Sequence, residues 1–324
     1  MASSSSSCSS YCSSSLLLLL GVVCGCAGVR ICAFNIQGFG ESKAQNPKVM
    51  HTLVRIIARC DVCLLQEVRD QKKRALPALL ESLNRYDPDH DYQYVASEPL
   101  GRKSYKEQYV FVYRTGSVEV TGQYQYPDSL PGDEDAFSRE PFVVRFKAPS
   151  TELGEFVLIP QHTSPSNATK EIDALYDVFQ AVKKRWNTEM VMLLGDFNAD
   201  CGYVAKKNRM KVRLYSDPSF LWMIGDKEDT TVRISTSCTY DRIVVHGSEF
   251  SRGIVPYSAK PFKFDKEYQL SEEQALEVSD HYPVEVVLKS GSSLRRGSRL
   301  LGVSSTLQGF STLLLLFLTA LLCL

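Results

Sequence analysis

Met190-Val191-Met192-Leu193-Leu194-Gly195-Asp196-Phe197-Asn198-Ala199-Asp200 is the stretch that decides the fold. Its apolar run is too short for a typical helix, follows a helical pattern and ends in glycine, so it reads as a buried strand. Residues i and i+2 of a strand share a face, which predicts that Asp196 and Asn198 point the same way where the chain leaves the sheet. Ligands of α/β folds bind outside the carboxyl ends of strands. A carboxylate beside an amide at such a place suits a divalent cation or a phosphate. The plain alternative is a polar turn after a core strand, and the rest of the chain has to decide.

Working outward, residues 29–36 form an apolar strand ending at Asn35, and 46–59 carry Val49, Leu53, Ile56 and Ile57 at helical spacing. Residues 61–66 are a second buried strand with Glu67 at its end, and 72–85 an amphipathic helix. Strands follow at 92–96 and 108–114 around a basic loop, then an exposed strand at 118–126, an acidic loop at 127–139 and a strand at 142–146. Residues 156–161 end at His162. Residues 170–186 place Ile172, Leu175, Tyr176, Phe179 and Val182 on one helical face. The last strands are 241–245 and 283–288, the latter just after Asp280-His281. Strands alternating with helices, plus several strand pairs, predict an α/β fold with a mixed sheet or two packed sheets.

The chain has 324 residues, 44% of them hydrophobic, with 37 Lys+Arg against 37 Asp+Glu. Three of the arginines, Arg295, Arg296 and Arg299, lie near the carboxyl terminus, so the body is slightly acidic. A protein held to nucleic acid by charge alone should be basic. Contact with nucleic acid therefore requires a local patch, helped by a metal ion. Residues 1–28 combine a Ser-rich start, the apolar run 16–23 and small residues, and read as a signal peptide. Residues 290–309 are a small, polar spacer and 310–324 an apolar tail that ends the chain, the pattern of a GPI-attachment signal; a retained tail anchor is the alternative. A secreted chain of this kind keeps five cysteines in its body. Cys201 and Cys238 lie in polar, loop-like sequence, where an oxidising compartment can join such a pair. Cys32, Cys60 and Cys63 lie in apolar runs and read as small buried core residues. Asn167-Ala168-Thr169 is an acceptable glycosylation sequon.

Asn35, Glu67, His162, Asp196 with Asn198, and Asp280-His281 all stand at or near strand ends. Parallel strands would gather them at one edge. The residue types fit phosphodiester hydrolysis. Glu67, Asp196 and Asp280 offer oxygen to a hard cation such as Mg2+ or Mn2+, with Asn35 as a neutral oxygen. His162 and His281 then suit an acid–base pair, each oriented by a carboxylate, for which Glu107 and Asp241 are candidates. His51, His90 and His246 lack strand-end settings and read as structural.

Longer motifs carry a resemblance. Ile31-Cys32-Ala33-Phe34-Asn35-Ile36-Gln37, Leu65-Gln66-Glu67-Val68-Arg69-Asp70, Ser97-Glu98-Pro99-Leu100-Gly101-Arg102, Ser104-Tyr105-Lys106-Glu107, Arg139-Glu140-Pro141, Leu194-Gly195-Asp196-Phe197-Asn198-Ala199, Tyr240-Asp241-Arg242-Ile243-Val244 and Ser279-Asp280-His281-Tyr282-Pro283-Val284-Glu285-Val286 together resemble the deoxyribonuclease I family of the endonuclease/exonuclease/phosphatase superfamily. The likeness covers residues 29–289, read as one catalytic domain, and the apolar tail makes the chain most similar to the membrane-anchored branch. The resemblance implies a four-layer α/β sandwich, two mixed β-sheets packed face to face with helices outside. It implies metal ligation by Glu67 with Asn35, Asp196 and Asp280. It pairs His162 with Glu107 and His281 with Asp241, and gives Asn198 the scissile phosphate. Arg69 and Tyr105 match the pair that enters the minor groove, Arg139 a phosphate contact, and Cys201 with Cys238 the structural disulfide. Asp135, Phe137 and Glu140, with Asp128 displaced from the family position, match one structural Ca2+ loop, and Asp229 and Thr231 another that is one residue longer here. No cysteine occurs between residues 127 and 139, where the secreted pancreatic type has a second disulfide. The expected function is metal-dependent, sequence-tolerant cleavage of double-stranded DNA by a monomer at the cell surface or in the secretory pathway. Actin binding does not follow from these motifs. The alternatives are a phosphodiesterase acting on lipid head groups and a catalytically silent DNA-binding or adhesion module.

Overall fold

The computed structural model describes residues 28–129, 131–132 and 134–291. The expected signal peptide, spacer and tail fall outside these residues except at their inner borders. The compact unit ends at Ser290. Among the described residues no helix is long and apolar enough to cross a membrane.

Among the described residues twelve strands form two six-stranded sheets. The first runs in the order β11 (Lys260–Pro261), β12 (Val284–Val287), β1 (Arg30–Phe39), β2 (Val62–Val68), β4 (Gln108–Arg114) and β3 (Tyr92–Ala96). The second runs β5 (Glu119–Gln125), β6 (Phe142–Ala148), β7 (Gly154–Pro160), β8 (Val191–Asp196), β10 (Asp241–His246) and β9 (Phe220–Trp222). Each sheet is mixed, with one parallel pair near its centre: β1 beside β2, and β7 beside β8. The helices α1 (Glu41–Ala44) and α2 (Pro47–Ile57) cross between the first pair, and α4 (Ala168–Trp186) between the second; α3 (Ala75–Tyr86) lies between β2 and β3. Shorter helices follow: α5 (Lys206–Arg209), α6 (Arg213–Ser216), α7 (Gly247–Arg252), α8 (Phe264–Glu267) and α9 (Glu272–Val278).

Strand alternation sorts the side chains into three apolar layers. Ile31 and Ala33 of β1, Val62 and Leu64 of β2, Leu158 of β7, Met192 and Leu194 of β8, and Ile243 and Val245 of β10 fill the space between the sheets. The intervening Phe34, Ile36 and Leu65 pack outward with Leu53 and Ile57 of α2 and Leu79 and Leu83 of α3. Val191 and Leu193 pack outward with Ile172, Leu175, Val178 and Val182 of α4. The order helix, sheet, sheet, helix is the four-layer sandwich.

Element ends have local causes. Asn46 caps α2 by accepting from Lys48 and Val49, and Pro47 follows at the first helical position. The helix expected from residue 72 begins at Ala75, because the Asp70 carboxylate accepts from the Arg74 and Leu76 N–H groups and sets the start there. The short strands β9 and β11 were not apparent in the sequence. Nor was α9, although Ser271 and Gln274 form a complete capping box.

Cys201 and Cys238 form a disulfide, with Cα atoms 5.9 Å apart. The reading of three plain core cysteines needs correction. Cys32 of β1 and Cys60, just after α2, form a second disulfide with Cα atoms 6.1 Å apart, and Cys63 is the one free thiol among the described residues, and buried. Both partners are buried, but α2 returns its end directly over the outward face of β1, a proximity that local pattern cannot reveal. Two disulfides fit an oxidising compartment.

The chain enters and leaves this body at one edge. Leu288 N–H donates to Val29 O at 2.8 Å, and Arg30 pairs with Val287. The polar strand ends gather at the other edge.

Gly195 has φ +128°, and a Cβ there would lie 2.4 Å from Gln161 O and 2.6 Å from Gln66 Nε2. Neither neighbour can retreat, since Gln66 Nε2 donates to Gln161 O at 2.7 Å in the fully buried seam. Gly195→Ala should destabilise the protein by about 2–4 kcal/mol, combining backbone strain and overpacking. Urea unfolding checks this, and an unchanged midpoint would contradict it.

Candidate active site

Alternation that builds the inter-sheet layer also builds the site. Asn35 continues the face of Ile31 and Ala33, and Gln66 that of Val62 and Leu64. His162 continues the face of Phe156 and Leu158, Asp196 that of Met192 and Leu194, Asp241 that of Ile243 and Val245, and Glu107 that of Tyr109 and Phe111. Each polar side chain stands one step beyond an apolar neighbour, so the site is the polar margin of the inter-sheet core. Carboxyl ends of β1, β2, β7 and β8 meet amino ends of the antiparallel β4, β10 and β12 at this one edge.

Three residues reach the site by departing from alternation. Glu67 has φ +59°, at an irregularity between β2 and β4. Asn198 has φ +48°. The expectation that Asp196 and Asn198 share a strand face is therefore corrected: β8 ends at Asp196, and a left-handed turn delivers Asn198. Its N–H donates to Asp196 Oδ1 at 3.0 Å and its Nδ2 to Thr163 O at 3.2 Å. His281 precedes β12, and its N–H donates to Ser279 Oγ at 3.0 Å while that hydroxyl donates to Asn35 O at 2.6 Å.

Two histidine–carboxylate pairs face each other. His162 Nδ1 lies 2.6 Å from Glu107 Oε1, and His281 Nδ1 lies 2.8 Å from Asp241 Oδ2. Both rings turn Nε2 toward Asp196 Oδ2, at 3.5 and 3.6 Å. Asn35 Nδ2 donates to the same Oδ2 at 3.2 Å and to Glu67 Oε1 at 3.1 Å. Its Oδ1 is occupied by Gln37 N–H at 2.9 Å. Asn35 thus presents nitrogen, not the neutral oxygen expected from sequence, to the carboxylates.

Burial and charge compete at each group. Burial would lower the His281 pKa, but the charges of Asp241, Asp196 and Asp280 prevail and push it up to about 10. His162 is raised in the same way, burial being outweighed chiefly by Glu107. Burial would raise Glu107 and Asp196, yet both are lowered, Glu107 by His162 and Arg139, Asp196 by the two histidines. For Asp241 burial wins and the pKa is raised. Glu107 Oε2 and Asp241 Oδ1 are buried without a hydrogen-bond partner.

Asp196, Asp241 and His281 bring ligand atoms within 4.8 Å of one another and can hold a metal ion. Glu67 joins this group through Asn35, and the charge of Asp280 acts on His281. Lys43, which sequence reading passed over, belongs here too. Its Nζ donates to Ile36 O at 2.8 Å and Gln37 O at 2.9 Å, holding the bend by which β1 presents Asn35. Burial pushes its pKa down to about 8 against the pull of Glu67 and Asp280. Gln66 was also missed. It donates to Gln161 O at 2.7 Å and accepts from Asp196 N at 2.9 Å, joining the two sheets beside the site. Its only signal was a glutamine on the core-facing side of an otherwise apolar strand.

Peripheral expectations fall into place unevenly. The Arg69 guanidinium sits 4.1 Å from the Tyr105 ring centroid, and Tyr105 is 43% exposed, with its hydroxyl donating to Glu67 Oε2 at 3.1 Å. Arg139 lies behind the first pair: Nε donates to His162 O at 2.9 Å and lies 3.2 Å from Glu107, while Nη2 is buried and unpartnered. Asp128, Asp135 and Glu140 form a second group with ligand atoms within 4.8 Å. The Phe137 carbonyl there accepts from Arg102 Nη2 at 3.3 Å. Asp229 Oδ1 accepts from Thr231 N and Oγ1, at 3.0 and 2.6 Å. Asn167 starts α4 without using its side chain as a cap.

The sequence model of the Endonuclease/Exonuclease/phosphatase family matches residues 32–281. Rat deoxyribonuclease gamma is 47% identical over 296 residues, covering 91% of this chain and 96% of the relative. Pig deoxyribonuclease-1 is 50% identical over 275 residues, covering 85% and 96%. Among solved structures, an endonuclease/exonuclease/phosphatase family protein from Leptotrichia buccalis superposes with a TM-score of 0.55 at 18% identity, covering 81% of this chain and 99% of that one, a likeness of fold.

The shifted histidine sets a pH dependence. His281 at about 10 lies above its ordinary 6.5, so its contribution to stability is complete below pH 6.5 and disappears as pH rises toward 10. Glu107 and Asp196 lie below their ordinary 4.5 and 3.8, so theirs is lost as pH falls through those lowered values. Metal-stripped protein should show a falling Tm on the alkaline side, and His281→Gln should flatten that limb. An alkaline limb unchanged in the variant would contradict the assignment.

Proposed function

The chain belongs to the deoxyribonuclease I family, within the endonuclease/exonuclease/phosphatase superfamily, and is a DNA-hydrolysing nuclease; we propose that it cuts double-stranded DNA internally, needs a divalent cation and has little sequence preference. The observation that carries this reading is the convergence of the two imidazole Nε2 atoms on one side of Asp196.

Hydrolysis of a phosphodiester needs a base to take a proton from water and an acid to return one to the leaving oxygen. Glu107 and Asp241 occupy both Nδ1 atoms, which fixes the tautomers and leaves each Nε2 to exchange the proton. One ring enters the reaction neutral and the other protonated. Their roles as base and acid follow from which side of the phosphate each meets.

The donor set fits a hard cation. Glu67, Asp196 and Asp280 would hold Mg2+ or Mn2+, which keeps several waters and accepts few carboxylates. When bound, the ion polarises the phosphoryl oxygen and offsets the negative charge developed there. Asn35 acts as a donor that holds Glu67 and Asp196 in place, and the Lys43 charge faces Glu67 and Asp280. Asn198 and the unpartnered Arg139 Nη2 supply donors for the phosphate. Arg69 and Tyr105 form an exposed stacked pair suited to entering the minor groove. The group of Asp128, Asp135 and Glu140, with Phe137, supports a structural Ca2+ site, and Asp229 with Thr231 a second. The protein acts as a monomer, bound to the cell surface through a GPI anchor directed by residues 290–324, with Asn167 glycosylated.

Wild-type protein should nick plasmid DNA in magnesium or manganese and lose activity in EDTA. His162→Ala and His281→Ala should each reduce kcat by about 10²–10⁴. Arg69→Ala with Tyr105→Ala should impair DNA cleavage while sparing hydrolysis of a small aryl phosphodiester. No nicking by wild type with either metal would sink the proposal, and cleavage of lipid head groups insensitive to Arg69 and Tyr105 would replace it. Phosphatidylinositol-specific phospholipase C should release activity from intact cells, and glycosidase should lower the released protein's mass; retention on the cells, or a constant mass, would remove the anchor or the glycan respectively.

A further inference from the structure

Beyond Asp196 the chain passes Asn198 and the Cys201 disulfide before reaching α5. The root of this loop is fixed: Cys201 is bonded to Cys238, and Thr239 N–H donates to Asp200 Oδ2 at 3.0 Å. From the site a row of rings leads outward. Tyr240 lies 6.2 Å from His281, and Tyr203 lies 5.4 Å from Tyr240, between ring centroids. Tyr203 is 44% exposed. Three residues later come Lys206 and Lys207, opening α5, and then Lys211, all exposed.

The charges of this segment divide into two kinds. Arg209 is committed, with Nη2 3.5 Å from Asp200 Oδ1 and Nη1 paired with Asp226. Asp226 is shared with Arg242 at 3.0 Å. The local carboxylates are thus neutralised by arginines. Lys206, Lys207 and Lys211 enter no ion pair among the described residues. A run of lysines is usually just a solvated face. Here it is continuous with the cleft through Tyr203 and Tyr240, on a slightly acidic body whose contacts with a polyanion have to come from local patches.

We propose that Tyr203 with Lys206, Lys207 and Lys211 forms an accessory contact surface for duplex DNA, gripping the phosphate backbone beyond the position being cut. This deepens the nuclease reading and rests on it. Ammonium groups on flexible stems neutralise phosphates and release counterions, which adds affinity without sequence selectivity. The Tyr203 ring supplies an uncharged contact against sugar between the scissile phosphate and the lysines.

The test is binding of a cleavage-resistant phosphorothioate duplex of about 20 base pairs to metal-loaded protein, by fluorescence anisotropy, across about 0.1–0.4 M sodium chloride. Replacing Lys206, Lys207 and Lys211 together by Gln should make the plot of log affinity against log salt shallower by about 2–3 and weaken binding about ten-fold or more at the lowest salt. Tyr203→Ala should weaken binding with the slope unchanged. Lys183→Gln with Lys184→Gln, on α4, is the control for net charge and should keep the wild-type slope. A wild-type slope in the triple variant overturns the proposal, as does an equal loss in the control. Loss of binding to phosphatidylserine vesicles with an unchanged DNA slope also overturns it, assigning the lysines to a membrane. Failure of wild type to cleave plasmid is a separate result that removes the nuclease reading itself.

Discussion

Neither sheet contains a complete acid–base pair. Glu107 stands at the entry to β4 in the first sheet, and its histidine at the end of β7 in the second. Asp241 opens β10 in the second sheet, and its histidine precedes β12 in the first. Everything the site does therefore depends on the spacing and register of two sheets that share no ladder. The apolar layer between them presses the sheets together but is non-directional and does not fix register. Directional bonds across the seam do. Gln66 reaches from β2 to the backbone of both β7 and β8, and the two histidine pairs themselves cross the gap. The catalytic groups are at once the reagents and part of the fastening.

That double use has a cost. Buried polar atoms are normally satisfied. Glu107 Oε2, Asp241 Oδ1 and Arg139 Nη2 are not, and Glu67 and Asn198 hold left-handed backbone that side chains disfavour. Buried unpartnered atoms and left-handed residues also occur elsewhere in the body, but here five of them fall within one site. Packing around them is tight enough to over-determine their positions: Gly195 is excluded from carrying even a methyl group by the atoms that hold Asp196. Two of the unpartnered atoms are carboxylate acceptors and one, Arg139 Nη2, is a donor, and none of the three is reached by solvent.

Much of this was legible in the sequence because alternation is a strong signal. Apolar strands ending at or near Asn35, Glu67, His162 and Asp196 announced both the sheets and the edge where the site forms, and the longer motifs supplied the pairing of histidines with carboxylates. What escaped depends on contacts distant in sequence. Cys32 and Cys60 look like packing residues until α2 is folded back over β1. Lys43 looks like a surface lysine in a turn until the bend of β1 wraps its ammonium with carbonyls. Gln66 differs from its apolar neighbours by one polar atom pair, and only the second sheet gives that difference meaning. Asn35 shows the reverse limit: its position was read correctly, but which end of its amide faces the carboxylates was decided by Gln37 N–H, a local turn detail.

The two ends of the body meet on the margin opposite the cleft, where Val29 and Leu288 are joined by a hydrogen bond. Five residue steps along β1 take the chain from Arg30 to Asn35, roughly 17 Å of strand. A pull on either terminus enters at that margin and loads the antiparallel ladder between β1 and β12 from its Arg30–Val287 end. A body built this way can be tethered by its ends with its working edge turned outward.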